Sequence, residues 1–310
     1  MTLADAAVLV VGEALVDIVC RADGSVDESP GGSPANVALA LGRLGRQPTL
    51  LTRIAPDVHG ERIRAWLGAA RVDVVAAAAE RTATATATLD PGGSATYEFD
   101  LDWALPGLDA PPAASVVHTG SIAALLEPGA ADVAQLVRSL RTTALVTYDP
   151  NVRPSLLPDH ADACARVEAW VALADVVKAS DQDLGWLYPG NDPVAAAQVW
   201  LESGPAVVVV TLGEGGAVAV ARTGVARVTA PRVNVVDTVG AGDTFMAALI
   251  DGLVRSGRVG AGAREALYEI GSVELGVLLQ NAARAAAVTV SRPGADPPWR
   301  RELDAEVADL

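Results

Sequence analysis

Short, unbroken apolar runs alternate with longer stretches of helical period along most of the chain. "AAVLVVG" (6–12) carries no polar residue and ends in glycine, which predicts a strand buried on both faces. "ALVDIVC" predicts a second strand, and the polar "RADGSVDESPGG" a turn after it. Ser33 is placed to cap the next helix and Pro34 to open it; "ANVALALGRLG" continues it and Gly45 ends it. "PTLLTRIA" then predicts a strand, and "DVHGERIRAWLGAA" a helix capped by Asp57. The succession recurs with "SVVHTGS" before a helix at 128–141, "ALVTYDPN" before 161–173, and "ADVVKAS" before "DQDLGWLY". A helix near 193–203 precedes "AVVVVTLGEGG"; "AVAVA" and "GVARVTA" read as a strand pair, and long helices follow at about 242–255 and 272–290. Repeated strand–helix units predict an α/β fold with a mostly parallel central sheet and helices on both faces. With no internal repeat or linker, the expectation is one domain over 1–310.

Residues 82–103 break this rhythm. "TATATATL" alternates threonine with alanine, "DPGG" turns, and "SATYEFDL" follows, a hairpin pattern with one wet face. Together with residues near 13–30 it predicts a small β appendage beside the main sheet.

Composition narrows the function. Hydrophobic residues make up 51 % and charged ones 20 %, enough for a large core. A formal net charge of −15 argues against a nucleic-acid partner, which needs a basic face. It leaves room for a nucleotide, which needs only a local turn rich in N–H groups. Cys20 and Cys164 are the only cysteines, and His59, His118 and His160 lack metal-ligand spacing. The first apolar run is interrupted by Glu13 and Asp17 and lacks a basic start, and no stretch is long enough for a membrane span. The expectation is a soluble cytoplasmic protein.

Four clusters carry candidate chemistry. In "VVDTVGAGDTFMAALI", Gly240, Ala241 and Gly242 lead into a helix, and Asp243 stands in its first turn. A helix start presents unpaired N–H groups and a partial positive charge, and small residues let an anion approach them. A carboxylate there either caps the helix or accepts a proton from an attacking hydroxyl beside a phosphoryl group; spacing alone leaves both open. In "SPGGSPANVALALGRLG", Gly31-Gly32 opens the backbone and Asn36 lies in the first helical turn; with Asp17 from the preceding segment the cluster suits either the hydroxyls of a sugar or no more than a turn and a helix cap, and taken alone it leaves both open. "VVVVTLGEGG" places Thr211, Gly213 and Gly216 at a strand end, where open α/β sheets bind ligands. "YDPNVR" places Asp149, Asn151 and Arg153 at another; Arg153 suits either a phosphate or carboxylate or a surface ion pair. Lys178, the only lysine, precedes "ASDQD" and reads equally as a phosphate ligand or an ordinary strand-end residue.

Together "GGSPANVALALGRLG" and "DTVGAGDTF" resemble the N-terminal and C-terminal patterns of the PfkB, or ribokinase-like, carbohydrate kinases. "GEALVDIV", "DPNVRP" and "SRPGADPP" look most like the bacterial fructokinase branch. The resemblance implies a ribokinase-like fold with a small β lid formed by about 13–30 and 82–103. It implies Asp243 as catalytic base, with the amides of Gly240, Ala241 and Gly242 as an anion hole. Asp17, Gly31, Gly32, Asn36, Phe99 and Arg153 would hold the sugar. Lys178, Thr211, Gly213, Gly216 and Asn281 would line the ATP site. Mg²⁺ would accompany ATP, and a monovalent cation such as K⁺ would sit at Asp237 and the Val239 carbonyl. The family's Asn-x-x-Glu segment is altered: Ser180 stands for the asparagine and Asp183, linked to Mg²⁺, for the glutamate.

The reaction this implies is ATP-dependent phosphorylation of a sugar, with fructose first. A kinase of 2-keto-3-deoxygluconate, or of another sugar or nucleoside, is the nearest alternative, and a non-catalytic sugar-binding protein the alternative of a different kind. No G-x-G-x-x-G follows the first strand and no G-x-x-x-x-G-K-[ST] occurs, which argues against a dinucleotide enzyme and a P-loop ATPase. A homodimer through the β lid is a further expectation.

Overall fold

A computed structural model describes residues 6–90, 95–105 and 112–308. β1 (Val8–Val11), β8 (Val116–Gly120), β9 (Leu145–Asp149), β10 (Val176–Ser180) and β11 (Val207–Thr211) are the apolar runs, buried along nearly their whole length. They join β4 (Thr49–Arg53), β5 (Asp73–Ala77), β12 (Ala217–Ala221) and β13 (Gly224–Val228) in a nine-stranded sheet of order β13-β12-β11-β10-β9-β8-β1-β4-β5. From β11 to β5 every pairing is parallel; β12 and β13 add antiparallel strands at one edge. Valine dominates the inner strands because both faces are covered and β-branched side chains pack well on a pleated surface.

The chain moves from β1 to β4 and β5 on one side, then resumes at β8 on the other. A crevice opens at the carboxyl ends of the strands where the winding reverses. One face is covered by α1 (Ser33–Arg43), α2 (Val58–Ala69), α8 (Ala241–Arg255), α9 (Ala263–Tyr268) and α10 (Ser272–Val290). The other is covered by α3 (Ser121–Leu125), α4 (Gly129–Leu140), α5 (His160–Leu173), α6 (Asp181–Leu187) and α7 (Pro193–Glu202). α8 is deeply set, with eleven of its fifteen residues buried. Buried Asp251 accepts from Arg46 at 2.7 Å and from Arg300, and Thr289 donates to Thr244 at 2.9 Å, tying α8 to α10.

A second sheet, of order β3-β2-β6-β7, stands over the crevice and consists of β2 (Leu15–Cys20), β3 (Val26–Gly31), β6 (Thr84–Leu89) and β7 (Ala95–Asp100). The Thr-Ala alternation is real: Ala83, Ala85 and Ala87 are buried, and Ala83 and Ala85 pack with Leu15 and Ile122, while Thr88 is exposed. Most of the expected "DPGG" turn lies outside the described residues.

Three elements depart from the sequence pattern. Residues 26–31, expected as turn, form β3, an edge strand too exposed to need apolar alternation. β5 is also an edge strand, with only partial burial. Ser33 does not cap α1; Gly32 holds the N-cap position and Ser33 lies inside the helix, with its hydroxyl directed elsewhere. Asp57 does cap α2, accepting from the Gly60 amide at 2.7 Å.

Candidate active site

Two helix starts meet beneath the crevice. Gly240 leads α8 with φ +74°, and a Cβ there would come within 2.7 Å of the Ala295 methyl. Both constraints require glycine. The turn brings Asp243 into the third helical position, where it is buried. Gly32 leads α1 with φ +101°, and a Cβ there would lie 2.6 Å from the Glu13 carbonyl oxygen. From α1, Ser33 Oγ donates to Asp243 Oδ1 at 2.7 Å, and Asn36 Nδ2 donates to Oδ2 at 2.8 Å. Each carboxylate oxygen therefore holds one protein donor and keeps a lone pair. Asn36 Oδ1 is buried and without a protein partner, an acceptor fitted to a hydroxyl of a bound molecule.

The first amides of α8 have no intrahelical partners, and no side chain caps them. Only Ala241 N–H leans back, to the Thr238 carbonyl at a long 3.3 Å. The turn thus offers N–H groups and the positive end of a 15-residue helix to an anion.

Asp17 on β2 lies so close to Gly31 that a Cβ there would sit 2.1 Å from its Oδ2. Burial pushes its carboxyl up to about 6; Arg153 opposes the rise and Asp243 adds to it, so all three charges share one space. Glu13, which the sequence marked only as an interruption, is also buried here. It accepts from the Ala123 amide at 3.0 Å, and burial pushes it up to about 7 against its hydrogen bonds and Arg153. Arg153 is half-buried and donates through Nη1 to the Asn151 carbonyl at 2.9 Å and to Asn151 Oδ1 at 2.6 Å. Phe99, on β7, is partly buried against the cluster of Leu15, Ala85 and Ile122.

Behind α8, Lys178 is only 3 % exposed. Its Nζ donates to Asp149 Oδ2 at 2.7 Å and to the Gly242 carbonyl at 3.3 Å. Asp183 is also committed to the protein. Oδ1 accepts from the Val152 amide at 2.8 Å, and Oδ2 accepts from the Ser180 amide at 2.9 Å and hydroxyl at 2.6 Å, closing a capping box on α6.

Farther along the strand ends, Thr211 stands in register with Ser180, half-buried, and leads to a glycine turn at 213–216. Gly213 has φ +53° with nothing within 4 Å of a Cβ position, while Gly216 is pressed against β13, 2.0 Å from the Val228 carbonyl oxygen by the same measure. Asn281 is exposed on α10. Asp237 binds the Val239 amide at 3.0 Å and the Gly294 amide at 2.8 Å; Val239 itself is exposed. Each Asp237 oxygen retains a lone pair, and with the Val239 carbonyl these form an all-oxygen donor set of the kind a hard cation takes. Among the described residues, no group of three or more His, Cys, Asp or Glu is arranged to hold a metal. No helix among the described residues is long and apolar enough to cross a membrane.

Sequence reasoning had no means to find Ser33's bond to Asp243 or the Lys178–Asp149 pair, since both join residues far apart in the chain. A polar residue inside an apolar strand, as Lys178 in "ADVVKAS", was the one available signal.

Comparison with known proteins agrees with this geometry. The model of the pfkB family carbohydrate kinases matches residues 5–301. A fructokinase from Klebsiella pneumoniae is 34 % identical over 259 residues, covering 80 % of this chain and 84 % of its own. The crystal structure of a Xylella fastidiosa fructokinase with bound ATP superposes with a TM-score of 0.82 at 25 % identity, over 97 % of this chain and 99 % of that one. A Vibrio cholerae fructokinase double mutant, in a form with fructose, ADP and potassium bound, gives 0.81 at 25 % identity over 97 % of both chains. The fold is ribokinase-like. With a family match across nearly its whole length, and Asp243 seated beneath a glycine-led helix start, the chain belongs to the pfkB family of carbohydrate kinases.

Proposed function

We propose that this protein transfers the terminal phosphoryl group of ATP to a hydroxyl of fructose. The observation that carries the reading is the Asp243 carboxylate, fixed by Ser33 and Asn36 directly under the free amides of α8. Asp243 accepts the proton of the attacking hydroxyl as the bond to phosphorus forms, a role that requires it to be ionised and within hydrogen-bond reach of that hydroxyl. The amides of Gly240, Ala241 and Gly242 hold the oxygens of the transferring group, where charge builds. Mg²⁺ supplies charge neutralisation between the phosphates when bound. Asp17, Asn36 and the backbone of Gly31 and Gly32 orient the sugar, and Phe99 closes against it from the second sheet, which serves as the lid. Thr211, Gly213, Gly216 and Asn281 line the nucleotide side, and Asp237 with the Val239 carbonyl would hold K⁺.

Arg153 favours a neutral ketose over an acidic sugar. Its charge already faces the Asp17 carboxylate and a Glu13 that is partly ionised near neutral pH, and its Nη1 is engaged by Asn151. A carboxylate substrate would have to compete with all three. The test is coupled ADP release over fructose, ribose, nucleosides and 2-keto-3-deoxygluconate, with wild type and Arg153→Ala. Fructose is expected to give the highest kcat/KM. Turnover confined to 2-keto-3-deoxygluconate and abolished in Arg153→Ala would reverse the substrate assignment. Saturable sugar binding with no ADP release from any sugar would leave a binding protein.

We also propose that two copies pair through the second sheet, on the side that leaves Val26 55 % exposed. A mass of one chain by sedimentation at micromolar concentration would exclude that pairing.

A further inference from the structure

The single lysine is a puzzle that the reaction as outlined does not use. A buried ammonium is costly unless its hydrogen bonds are met, and a hydrophobic pair of similar size is often as stable. Here Lys178 lies on the sheet face beneath α8, on the same polar layer as His118 and Thr147, whose side chains bond to each other at 3.0 Å. The layer holds the carboxylates of Asp149, Asp183 and Asp243 within its field. Burial works against the charged ammonium, but these carboxylates outweigh it and raise Lys178 above its ordinary range, while burial and the Lys178 charge hold His118 neutral. Lys178 is thus the fixed positive charge under the turn.

One hydrogen bond and a close approach join it to the turn. Nζ donates to the Gly242 carbonyl at 3.3 Å, and the Gly242 Cα is so near that a Cβ would lie 3.0 Å from the same nitrogen. The Gly242 carbonyl belongs to the peptide unit whose N–H is that of Asp243, a further uncapped first-turn amide of α8 beside those of Gly240, Ala241 and Gly242. A charged donor on the carbonyl polarises that unit and makes its N–H a stronger donor on the opposite side.

We infer that Lys178, held by Asp149, is a positioning residue for the anion hole: it props the Gly242 peptide from behind so that the amides of the turn face the transferring phosphoryl group. This rests on the kinase reading above. It assigns Lys178 to the back of the turn and not to the phosphates of ATP themselves.

The experiment compares wild type, Lys178→Met, and the double variant Lys178→Met/Asp149→Asn, which removes both charges and so leaves neither buried alone. Each is assayed for kcat, for KM of ATP and of fructose, for Tm, and for amide hydrogen exchange at residues 240–243 without ligand. In the double variant the fold is retained, kcat falls by about one to two orders of magnitude, both KM values stay within about twofold, and exchange at 240–243 accelerates. Gly242→Ala lowers kcat in wild type but adds nothing in the Lys178→Met background, because the two act through one contact. A kcat near wild type in the folded double variant overturns the inference. So does a tenfold rise in KM for ATP with kcat unchanged, which would make Lys178 a direct phosphate ligand. If wild type turns over no sugar, the kinase reading fails, and the exchange measurement alone decides the prop: unchanged protection at 240–243 sinks it.

Discussion

α1 and α8 begin in the same way and serve the site differently. Each is led by a glycine in the left-handed region, Gly32 at φ +101° and Gly240 at φ +74°, pressed against another segment of backbone or side chain. At α1 the side chains do the work: Ser33 and Asn36 reach across to Asp243. At α8 the first-turn amides face outward, one residue of the turn being a carboxylate and the peptide behind it resting on Lys178. A glycine-led helix start is therefore not one device. On the proposed reading it serves as an anion site when its first residues are too small to cover the amides, and orients a hydroxyl when they carry short polar side chains.

That contrast can be broken at each end. Among substitutions at the two helix starts that bear on this contrast, the largest effect is expected from Gly240→Val, which forces a β-branched residue into a left-handed conformation against Ala295. It lowers kcat by about two to three orders of magnitude, the scale of losing an oxyanion donor, while fructose affinity by calorimetry changes little. A loss confined to fructose affinity would mean that the α8 turn serves the sugar. Next is Asn36→Ala, which removes a donor to Asp243 and an unpartnered acceptor. Fructose KM rises by about tenfold, a little over 1 kcal/mol, with ATP KM unchanged; a rise in ATP KM instead would place Asn36 on the wrong side of the comparison. Ser33→Ala, whose hydroxyl only holds the base, is expected to lower kcat by about fivefold, within the value of one hydrogen bond to a charged group, and to leave both KM values alone.

A prediction of a different kind concerns stability and pH. Glu13 is raised in the folded protein from 4.5 to about 7 by burial. A carboxyl with a raised folded pKa contributes stability that is present in full below its unfolded pKa and lost as pH climbs through the folded one. Wild type therefore loses stability between about pH 4.5 and 7 from this group, by up to about 3 kcal/mol at one pKa unit per 1.36 kcal/mol. Glu13→Gln keeps an acceptor for the Ala123 amide and removes the titration. Its Tm falls less than that of wild type between pH 5 and 8; parallel curves would show that Glu13 stays ionised throughout.

Much of this site was legible before the fold. The α8 turn could be read because small residues, a helix pattern and an acid lie within four positions, and the α1 turn for the same reason. The parallel strands could be read because burial on two faces leaves runs of valine and alanine. What escaped was either weakly buried or distant in sequence. β3 and β5 are edge strands with little apolar demand, so their residues carry no period. Ser33 read as a cap because a serine before a helix usually is one; its actual partner lies 210 positions away. Asp149 reads from the sequence as a strand-end residue and Lys178 equally as a phosphate ligand or an ordinary strand-end residue; only the pairing of neighbouring strands shows that the two form an ion pair. Short-range spacing can reveal an element and its cap, but not which of two polar residues a third will choose.

The central claim is that Asp243 takes the proton of the sugar hydroxyl. Asp243→Asn preserves shape and can keep a contact with either partner while removing the base. Its rate of fructose-dependent ADP release, measured beside fructose binding by calorimetry, is the most direct test. The account predicts a fall in kcat of about three orders of magnitude or more with fructose affinity within about threefold of wild type. Turnover within about tenfold of wild type, at unchanged affinity, would contradict it.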